Sequence, residues 1–411
     1  MAQGKAGERL TRAGHRVARV LRGAAGAPAN MPVLYLADGD PRIDAMMDAV
    51  GAIAGGAHRF ELAGLSLRDW PQTLDRTARA YATAKRPAMN ALTARMKRRL
   101  YRAQYNWARA QFQAQPGAIA LAWNGMTSTR YAYMAAAQDA GVARLYMERA
   151  PLPGRVTLDP AGVNWLASVP RSRGVFEDWA AQGQGRDGDG WRALRAGLVA
   201  RASTRADVGQ GGGADLPEGR FLFCPLQVPN DTQIRQFSGW VGSVEAQLRA
   251  MADAAQLLPD GWHLRLKEHP SSRIAFGPLL AELTARAPGR VIVDNTTDTF
   301  AQVAASAGVI TLNSSVGLQA FFFDRPVLVL GQAFYGQPGL VDLVPSAAAM
   351  KAFFAAPDTM GFDPLFRARF MNWLDQVYYP RVDIRPDGSA WIDPAIVAAK
   401  VAQARLAAQN P

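Results

Sequence analysis

The sequence predicts an α/β protein built from two Rossmann-like halves that face a central cleft. Apolar runs alternate with amphipathic stretches along most of the 411 residues, and this alternation restarts after one glycine-rich stretch. Hydrophobic residues make up 49% of the chain and charged residues 19%, which excludes global disorder. No run approaches the roughly 20 apolar residues that a membrane-spanning helix needs.

The first half of the chain shows the order strand, loop, helix and strand that is typical of a parallel sheet. "PVLYLADGD" reads as a strand and a turn, and we interpret its "DGD" (38–40) as part of that turn. Helices are predicted over 42–54 and 129–141, and strands within "GAIALAWNG" (117–125) and "VARLYMERAP" (142–151).

A linker is predicted at "GQGGGADLPEG", Gly209–Gly219, because glycines and a proline replace apolar residues there. The expected organisation is a basic segment over 1–30, a first domain over 31–208, a second domain over 220–362, and a helical tail over 363–411 that packs back across the cleft. In the second domain, strands are predicted at Phe221–Pro225, His263–Lys267, Val291–Val293, Val309–Leu312 and Val327–Leu330, with helices at Trp240–Leu257 and Pro278–Ala287.

The net charge of +12 favours an anionic partner. Basic residues recur at helical spacing in the segment 1–30 and again from Lys85 to Gln111. Such helices can lie on anionic lipid, and the alternative is a solvated helix face. No zinc spacing, RNA-binding signature or helix-turn-helix pattern supports nucleic acid. The start of the chain lacks the apolar region of a secretory signal, and the single cysteine, Cys224, fits a reducing compartment and a core position.

Four strand ends carry polar side chains that core packing does not require. Because ligands of open α/β sheets bind at the carboxyl ends of the strands, these side chains are the candidate site residues. They are Glu148, Asp231, the series Lys267, Glu268 and His269, and the series Asn313, Ser314 and Ser315.

Two of these motifs are suited to phosphate. Ser314 or Ser315 can bind it together with the free N–H groups of a helix start, or can be an ordinary helix cap. Pro270 keeps His269 out of a helix, so that His269 can donate to a phosphate oxygen with Lys267 nearby; the alternative is a satisfied structural histidine.

The two carboxylates, Glu148 and Asp231, fall in different halves of the chain. If the halves close on each other, the pair can face one sugar and act as acid/base and nucleophile at an anomeric carbon. In isolation, each would cap loop N–H groups. No second histidine or cysteine at ligand spacing accompanies His269, so no metal site is expected.

The sequence resembles the capsule polysaccharide biosynthesis family, and specifically its retaining β-Kdo transferases. Kdo is 3-deoxy-D-manno-octulosonic acid, and the donor of the family is CMP-Kdo. The resemblance covers roughly residues 122–340. It rests on the ordered series "WNG" (123–125), "MERAPLPGRVTLDPAGVN" (147–164), "PLQVPNDTQI" (225–234), "KEHP" (267–270) and "LNSSVGLQAFFFDRPVLVLGQAFYGQPGL" (312–340).

The resemblance implies a glycosyltransferase-B-like fold, with an acceptor domain over 31–208 and a nucleotide-sugar domain over 220–362. It also implies that Asp231 is the nucleophile and Glu148 the acid/base. The residues implied to bind the donor are His269, Pro270, Ser314 and Ser315, and Lys267, Asn313 and Gln233 are expected to bind it with them. The residues expected on the acceptor or sugar side are Asn124, Gly125, Arg149 and Asn164.

The expected function is transfer of Kdo, or a related ulosonic acid, from a CMP-sugar to a lipid-linked acceptor in capsule or surface polysaccharide synthesis. The expected location is the inner face of the cell membrane, and no cofactor or metal is expected. Arg149, Ala150 and Pro151 stand where many relatives have a glycine, so the acceptor side is expected to differ. The alternatives are a non-catalytic capsule assembly or export factor, and a UDP-sugar transferase or epimerase on the same scaffold.

Overall fold

The computed structural model describes residues 32–212, 216 and 220–409. The predicted basic segment 1–30 therefore lies outside the described residues. The chain divides into two compact units. Unit 1 holds the described residues up to Ala150, then Gly154–Ser168, and finally the residues from Tyr379 onward; unit 2 holds Pro151–Pro153 and Val169–Tyr378.

Unit 1 is built on a five-stranded sheet of order β2-β1-β3-β4-β5, in which only the β4–β5 pair is antiparallel. Apolar side chains from both faces of this sheet form buried clusters with the flanking helices. Its first elements are β1 (Val33–Leu36), α1 (Pro41–Ile53), β2 (Ala57–Phe60), α2 (Thr73–Ala82), α3 (Ala91–Ala114), β3 (Ile119–Trp123), α4 (Ser128–Asp139), β4 (Ala143–Arg149) and β5 (Val156–Asp159).

Unit 2 is built on a six-stranded, wholly parallel sheet of order β11-β10-β9-β6-β7-β8. Three of its strands have the predicted bounds, because each is a short apolar run closed by turn residues. The elements are α5 (Arg173–Ala181), β6 (Phe221–Pro225), α6 (Thr232–Phe237), α7 (Val244–Ala255), β7 (His263–Lys267), α8 (Gly277–Arg286), β8 (Val291–Val293), α9 (Thr299–Ala305), β9 (Gly308–Thr311), α10 (Ser315–Gln319), β10 (Val327–Val329), β11 (Asp342–Leu343), α11 (Ala347–Ala355) and α12 (Pro364–Trp373).

The C-terminal stretch returns to unit 1 after a short π-helix at Leu374–Tyr378. It forms the antiparallel hairpin of β12 (Val382–Ile384) and β13 (Ala390–Ile392), followed by α13 (Pro394–Gln409). Val397, Val401 and Ala404 of α13 join the buried cluster that contains the residues of β4 and β5. The tail is therefore mostly helical, as predicted, with a hairpin that the sequence reading did not include.

The α/β class with two mainly parallel sheets is confirmed. The boundaries between the two compact units differ from the predicted domain boundaries. Residues 169–208 belong to unit 2, although they were assigned to the first domain. The start of the predicted linker is hydrogen-bonded within unit 2: the Gly209 N–H binds Asn295 O at 2.7 Å, and the Gly211 N–H binds Thr296 O at 2.8 Å. Its glycines thus let backbone lie directly against a loop of unit 2. In the part of the chain that the structure describes, no helix is long and apolar enough to cross a membrane.

A close contact between α1 and β2 predicts the effect of one substitution. A Cβ atom at Gly51 would overlap the Cβ of Ala57. Gly51→Ala should therefore lower the free energy of unfolding by about 1–3 kcal/mol, although alanine normally favours a helix. Gly277→Ala is the matched control, since a Cβ there meets nothing within 4 Å, and should change it by no more than about 1 kcal/mol. Denaturant titration measures both, and equal stability of both variants would contradict the overlap.

Candidate functional site

The loops that follow β6, β7 and β9 lie at the carboxyl edge of the six-stranded sheet. These three strands are neighbours in the sheet, in the order β9-β6-β7, and they run parallel. The fold therefore brings the loop with Asp231, the loop with His269 and the loop with Ser314 to one edge, as the sequence predicted.

Asp231 is fixed at the start of α6 by one of its carboxylate oxygens. Its Oδ1 accepts the N–H of Gln233 at 2.9 Å, so that Asp231 acts as the N-cap of the helix. Among the residues that the structure describes, Oδ2 has no hydrogen-bond partner. The side chain is half-buried and therefore keeps part of its surface open to a bound molecule.

His269 is a neutral imidazole at pH 7. Burial, and after it the positive charge of Arg201, lowers its pKa to about 4, while the carboxylate of Asp231 acts in the opposite direction. The N–H of Ser271 donates to Nδ1 at 3.2 Å. Because a backbone N–H can only donate, Nδ1 is the accepting nitrogen and the ring proton is on Nε2. His269 can therefore offer an Nε2–H donor beside Asp231 without carrying a charge.

Lys267 has a structural role, which corrects the prediction that it binds the donor. Its side chain is 1% exposed. Its Nζ donates to three backbone oxygens, those of Gly209 at 2.7 Å, Asn295 at 3.0 Å and Thr297 at 2.7 Å. An ammonium has three hydrogens, so all of them are used.

The next residue, Glu268, is also buried. Its carboxylate accepts hydrogen bonds from Arg205, from the Phe276 N–H and from Asn295.

Asn313 is likewise occupied by the protein and does not present its amide to a ligand. Its Nδ2 donates to the backbone oxygens of Gln233 at 3.1 Å and Phe237 at 3.0 Å, and its Oδ1 accepts Nε2 of Gln227 at 2.9 Å. Oε1 of Gln227 accepts from Thr311 Oγ1 and from the Asn313 N–H. Gln227 and Asn313 therefore join the loop after β6 to the loop after β9. Gln227 was not among the site residues predicted from the sequence, although this polar residue lies just after an apolar strand.

Ser314 and Ser315 differ in what they offer. Ser314 Oγ accepts the Val316 N–H at 3.2 Å, which makes it an ordinary cap, and its backbone oxygen accepts the hydroxyl of Tyr335. Ser315 is exposed at the first position of α10. A Cβ at Gly317 would overlap the Tyr335 hydroxyl, so the glycine is required for the packing of Tyr335. Since α10 has only five residues, its dipole is weak, and phosphate binding here would rest on Ser315 and nearby N–H groups.

Two further polar atoms at this edge have no partner among the described residues. They are Oγ1 of Thr232 and Oε1 of Gln233, which are buried at the start of α6, next to Asp231.

Beside His269, an open pocket of about 690 Å³ is lined by residues that include Thr204, Arg205 and Ser271. The carbonyl of Pro270 accepts the Thr204 N–H at 3.0 Å, which ties the wall of this pocket to the loop after β7.

Glu148 lies in unit 1, at the carboxyl end of β4, where Asn124 holds one of its oxygens. Nδ2 of Asn124 donates to Glu148 Oε2 at 2.8 Å, and the Arg149 N–H donates to Oε1 at 3.1 Å. Asn124 adopts a left-handed φ of 61° and Gly125 one of 71°. A Cβ at Gly125 would press into the ring of Tyr146. The "WNG" turn therefore has a geometric function, which is to aim the amide of Asn124 at Glu148.

The other two residues predicted on the acceptor side are placed differently. Arg149 ends β4 with an exposed side chain, next to Glu148. Asn164 follows β5, and because β5 runs antiparallel to β4 it leads the chain away from the edge that holds Glu148. The structure describes no hydrogen bond between Asn164 and Asn124, and the acceptor-side role of Asn164 stays a prediction.

A second pocket in unit 1, of about 550 Å³, lies where β1 and β2 end. The "DGD" stretch forms the connection from β1 to α1, and Asp40 caps that helix through the Arg42 N–H at 3.0 Å. Asp38 is paired with Arg130 at 2.8 Å. Within the described ranges, no group of three or more histidine, cysteine and acidic side chains is arranged to hold a metal ion.

Comparison with known protein families supports the resemblance to capsule polysaccharide biosynthesis proteins that the sequence motifs indicated. Residues 215–379 match the model of the family described as capsule polysaccharide biosynthesis protein. This range contains Asp231, His269, Ser315 and the Gln227–Asn313 connection, and it includes all six strands of the six-stranded sheet. The resemblance to this family is thus confirmed for unit 2.

Individual proteins and solved structures are also similar to the chain. The chain is 28% identical over 302 residues to protein FixF of Sinorhizobium fredii, which covers 73% of this chain and 67% of FixF. It is 30% identical over 129 residues to the capsule polysaccharide modification protein LipB of Neisseria meningitidis, which covers 30% of this chain but only 31% of LipB. Among solved structures, the β-Kdo 2,7 transferase of Thermosulfurimonas dismutans KpsC aligns over 90% of this chain and 99% of its own, with 12% identity and a TM-score of 0.47.

The occupied ammonium of Lys267 predicts a stability effect. Lys267→Met should lower the free energy of unfolding by about 2–4 kcal/mol, because three partly buried carbonyl groups lose their donor. Lys351→Met is the matched control at an exposed position and should be neutral. Chemical denaturation of both variants tests this, and an unchanged midpoint for Lys267→Met would restore the earlier interpretation of a ligand-facing lysine.

The neutral state of His269 predicts its titration. Its folded pKa of about 4 lies below the ordinary value of 6.5. As the pH falls, the unfolded chain takes up the proton first, so His269 should subtract stability progressively between about pH 6.5 and pH 4. Histidine NMR spectra, assigned with His269→Gln, should show an Nε2–H tautomer that does not titrate above pH 5. A midpoint near 6.5 would rule out the buried, Nδ1-accepting arrangement.

Proposed function

We propose that this protein is a retaining glycosyltransferase of capsule or surface polysaccharide synthesis. It transfers Kdo, or a related ulosonic acid, from a CMP-sugar to a lipid-linked acceptor at the inner face of the cell membrane. In a glycosyltransferase-B-like division of labour, unit 2 binds the donor and unit 1 supplies Glu148 for the acceptor.

One observation carries the proposal. Asp231 is anchored through Oδ1 and has no partner at Oδ2 among the described residues, and it lies beside the neutral His269 in the part of the chain that matches the capsule family. A carboxylate that is held in place but not neutralised by a cation is suited to nucleophilic attack. An imidazole that donates from Nε2 is suited to a phosphate oxygen of CMP.

The first step is displacement of CMP. An oxygen of Asp231 forms a bond to the anomeric carbon, while the bond from that carbon to the phosphate oxygen of CMP breaks and CMP leaves with the electron pair. His269 and the exposed hydroxyl of Ser315 donate hydrogen bonds to the departing phosphate. CMP is a stable anion, so this step needs no protonation of the leaving group.

The second step transfers the sugar. The oxygen of an acceptor hydroxyl forms a bond to the anomeric carbon, the ester bond to Asp231 breaks, and the carboxylate is restored. Glu148 takes the proton of the hydroxyl. Two successive inversions give net retention. Asn124 is a positioning residue for this step, because its amide fixes Oε2 of Glu148.

Incubation of purified protein with CMP-Kdo tests the donor step without the acceptor. Mass spectrometry should show one added Kdo on the peptide that contains Asp231. Asp231→Asn should abolish the adduct while CMP binding stays within about threefold, since a neutral amide is no nucleophile. Asp298→Asn is the matched control: Asp298 caps α9 in the same way and should keep full adduct formation.

The other outcomes separate the alternatives. Adduct formation by Asp231→Asn at more than a tenth of the wild-type level would remove Asp231 from its proposed role. Turnover of a UDP-sugar instead of CMP-Kdo would identify a UDP-sugar transferase or epimerase. Binding of CMP without turnover of either donor would identify a non-catalytic assembly or export factor.

A further inference from the structure

The first three turns of α3 expose apolar side chains on the side of the helix that faces away from the core. Leu92, Met96 and Leu100 are 67%, 61% and 43% exposed. At about 100° per residue, these three lie within about 80° of one another and roughly 140–180° from the direction of the buried Tyr105. Packing within unit 1 therefore does not account for them.

Arginines border this apolar stripe. Arg95 and Arg99 are one turn apart on the same side of Leu92, both are exposed, and neither has an ion pair or hydrogen bond within the described residues. No aspartate or glutamate occurs between Arg76 and Gln138. We call the set Leu92, Arg95, Met96, Arg99 and Leu100 the α3 docking face.

The helix that carries this face is rigidly held. Asn90 and Thr93 form a reciprocal capping box at its start. Nζ of Lys97 donates to the Arg86 backbone oxygen at 2.7 Å, and the Ser66 N–H donates to Ala103 O at 3.0 Å. The face is thus presented by a preformed helix, and binding through it costs little ordering entropy.

We propose that the α3 docking face binds the surface of an anionic membrane, with Leu92, Met96 and Leu100 inserted at the level of the headgroups. The apolar stripe and the arginines together indicate which kind of partner binds. An apolar stripe bordered by unpaired arginines on a helix is the pattern of an interfacial helix, in which apolar burial and attraction to anionic lipid act together. The inference does not depend on the reaction proposed above.

Vesicle binding by the full chain tests the face. The protein should sediment with vesicles of phosphatidylglycerol and phosphatidylcholine, and binding should fall with added salt. The triple variant Leu92→Ser, Met96→Ser, Leu100→Ser should bind at least about tenfold more weakly. The matched control, Leu257→Ser with Leu406→Ser, removes leucines that are 45% and 60% exposed elsewhere and should bind normally.

A fluorescent label shows which segment enters the lipid. The native Cys224 is buried, so a polarity-sensitive dye can be attached to the cysteine introduced by Met96→Cys or, as the control, by Leu406→Cys. Vesicles should shift the emission to the blue at the first position and not at the second. Binding without that shift would overturn the proposal, because another segment would be the anchor. A shift without lipid that grows with protein concentration would also overturn it and would identify a contact between two copies. Failure to bind anionic vesicles would overturn it as well.

Discussion

The carboxyl edge of the six-stranded sheet depends on buried polar side chains that satisfy loop backbone. Lys267 donates all three hydrogens of its ammonium to carbonyl oxygens, and the amide of Asn313 is hydrogen-bonded to two carbonyls and to Gln227. These groups would be costly to bury unpaired, and so would the carbonyls that they satisfy. Lys267 joins the end of β7 to Gly209 and to the loop after β8, while Asn313 and Gln227 join the loop after β9 to the loop after β6. Asp231 and His269 are therefore held in place by neighbours that do not face a ligand.

In unit 1 as well, one residue positions the side chain that is proposed to act in the reaction. Asn124 accepts a left-handed backbone, which asparagine tolerates better than most residues, and thereby points its amide at Glu148. The adjacent Gly125 lets Tyr146 pack against the turn. In both units, the residue proposed to act in chemistry stands beside an amide side chain that defines the local geometry.

Strong local patterns made much of the fold predictable. The strands Phe221–Pro225, His263–Lys267 and Val291–Val293 are short apolar runs closed by turn residues, so both their ends could be assigned. The strand Ala57–Phe60 has no such run, because it is largely half-exposed at the sheet edge. Asp231 and Glu148 could be chosen as carboxylates at strand ends. The hydrogen bonds that Lys267 and Asn313 make within the protein could not be predicted. A sequence shows the chemistry of a side chain, but it does not show which loop carbonyls lie next to that side chain in the folded chain.

The division of unit 1 into separate stretches has a consequence for biosynthesis. Its sheet is encoded before unit 2, but α13, which buries Val397 and Val401 against that sheet, is encoded after it. A ribosome therefore releases every strand of the five-stranded sheet long before the helix that covers one of its faces. Unit 2, which is nearly continuous in sequence, can complete its core first. Until α13 emerges, one face of the nascent sheet lacks the side chains of Val397 and Val401 that cover it, and slow translation of α13 would prolong that exposure.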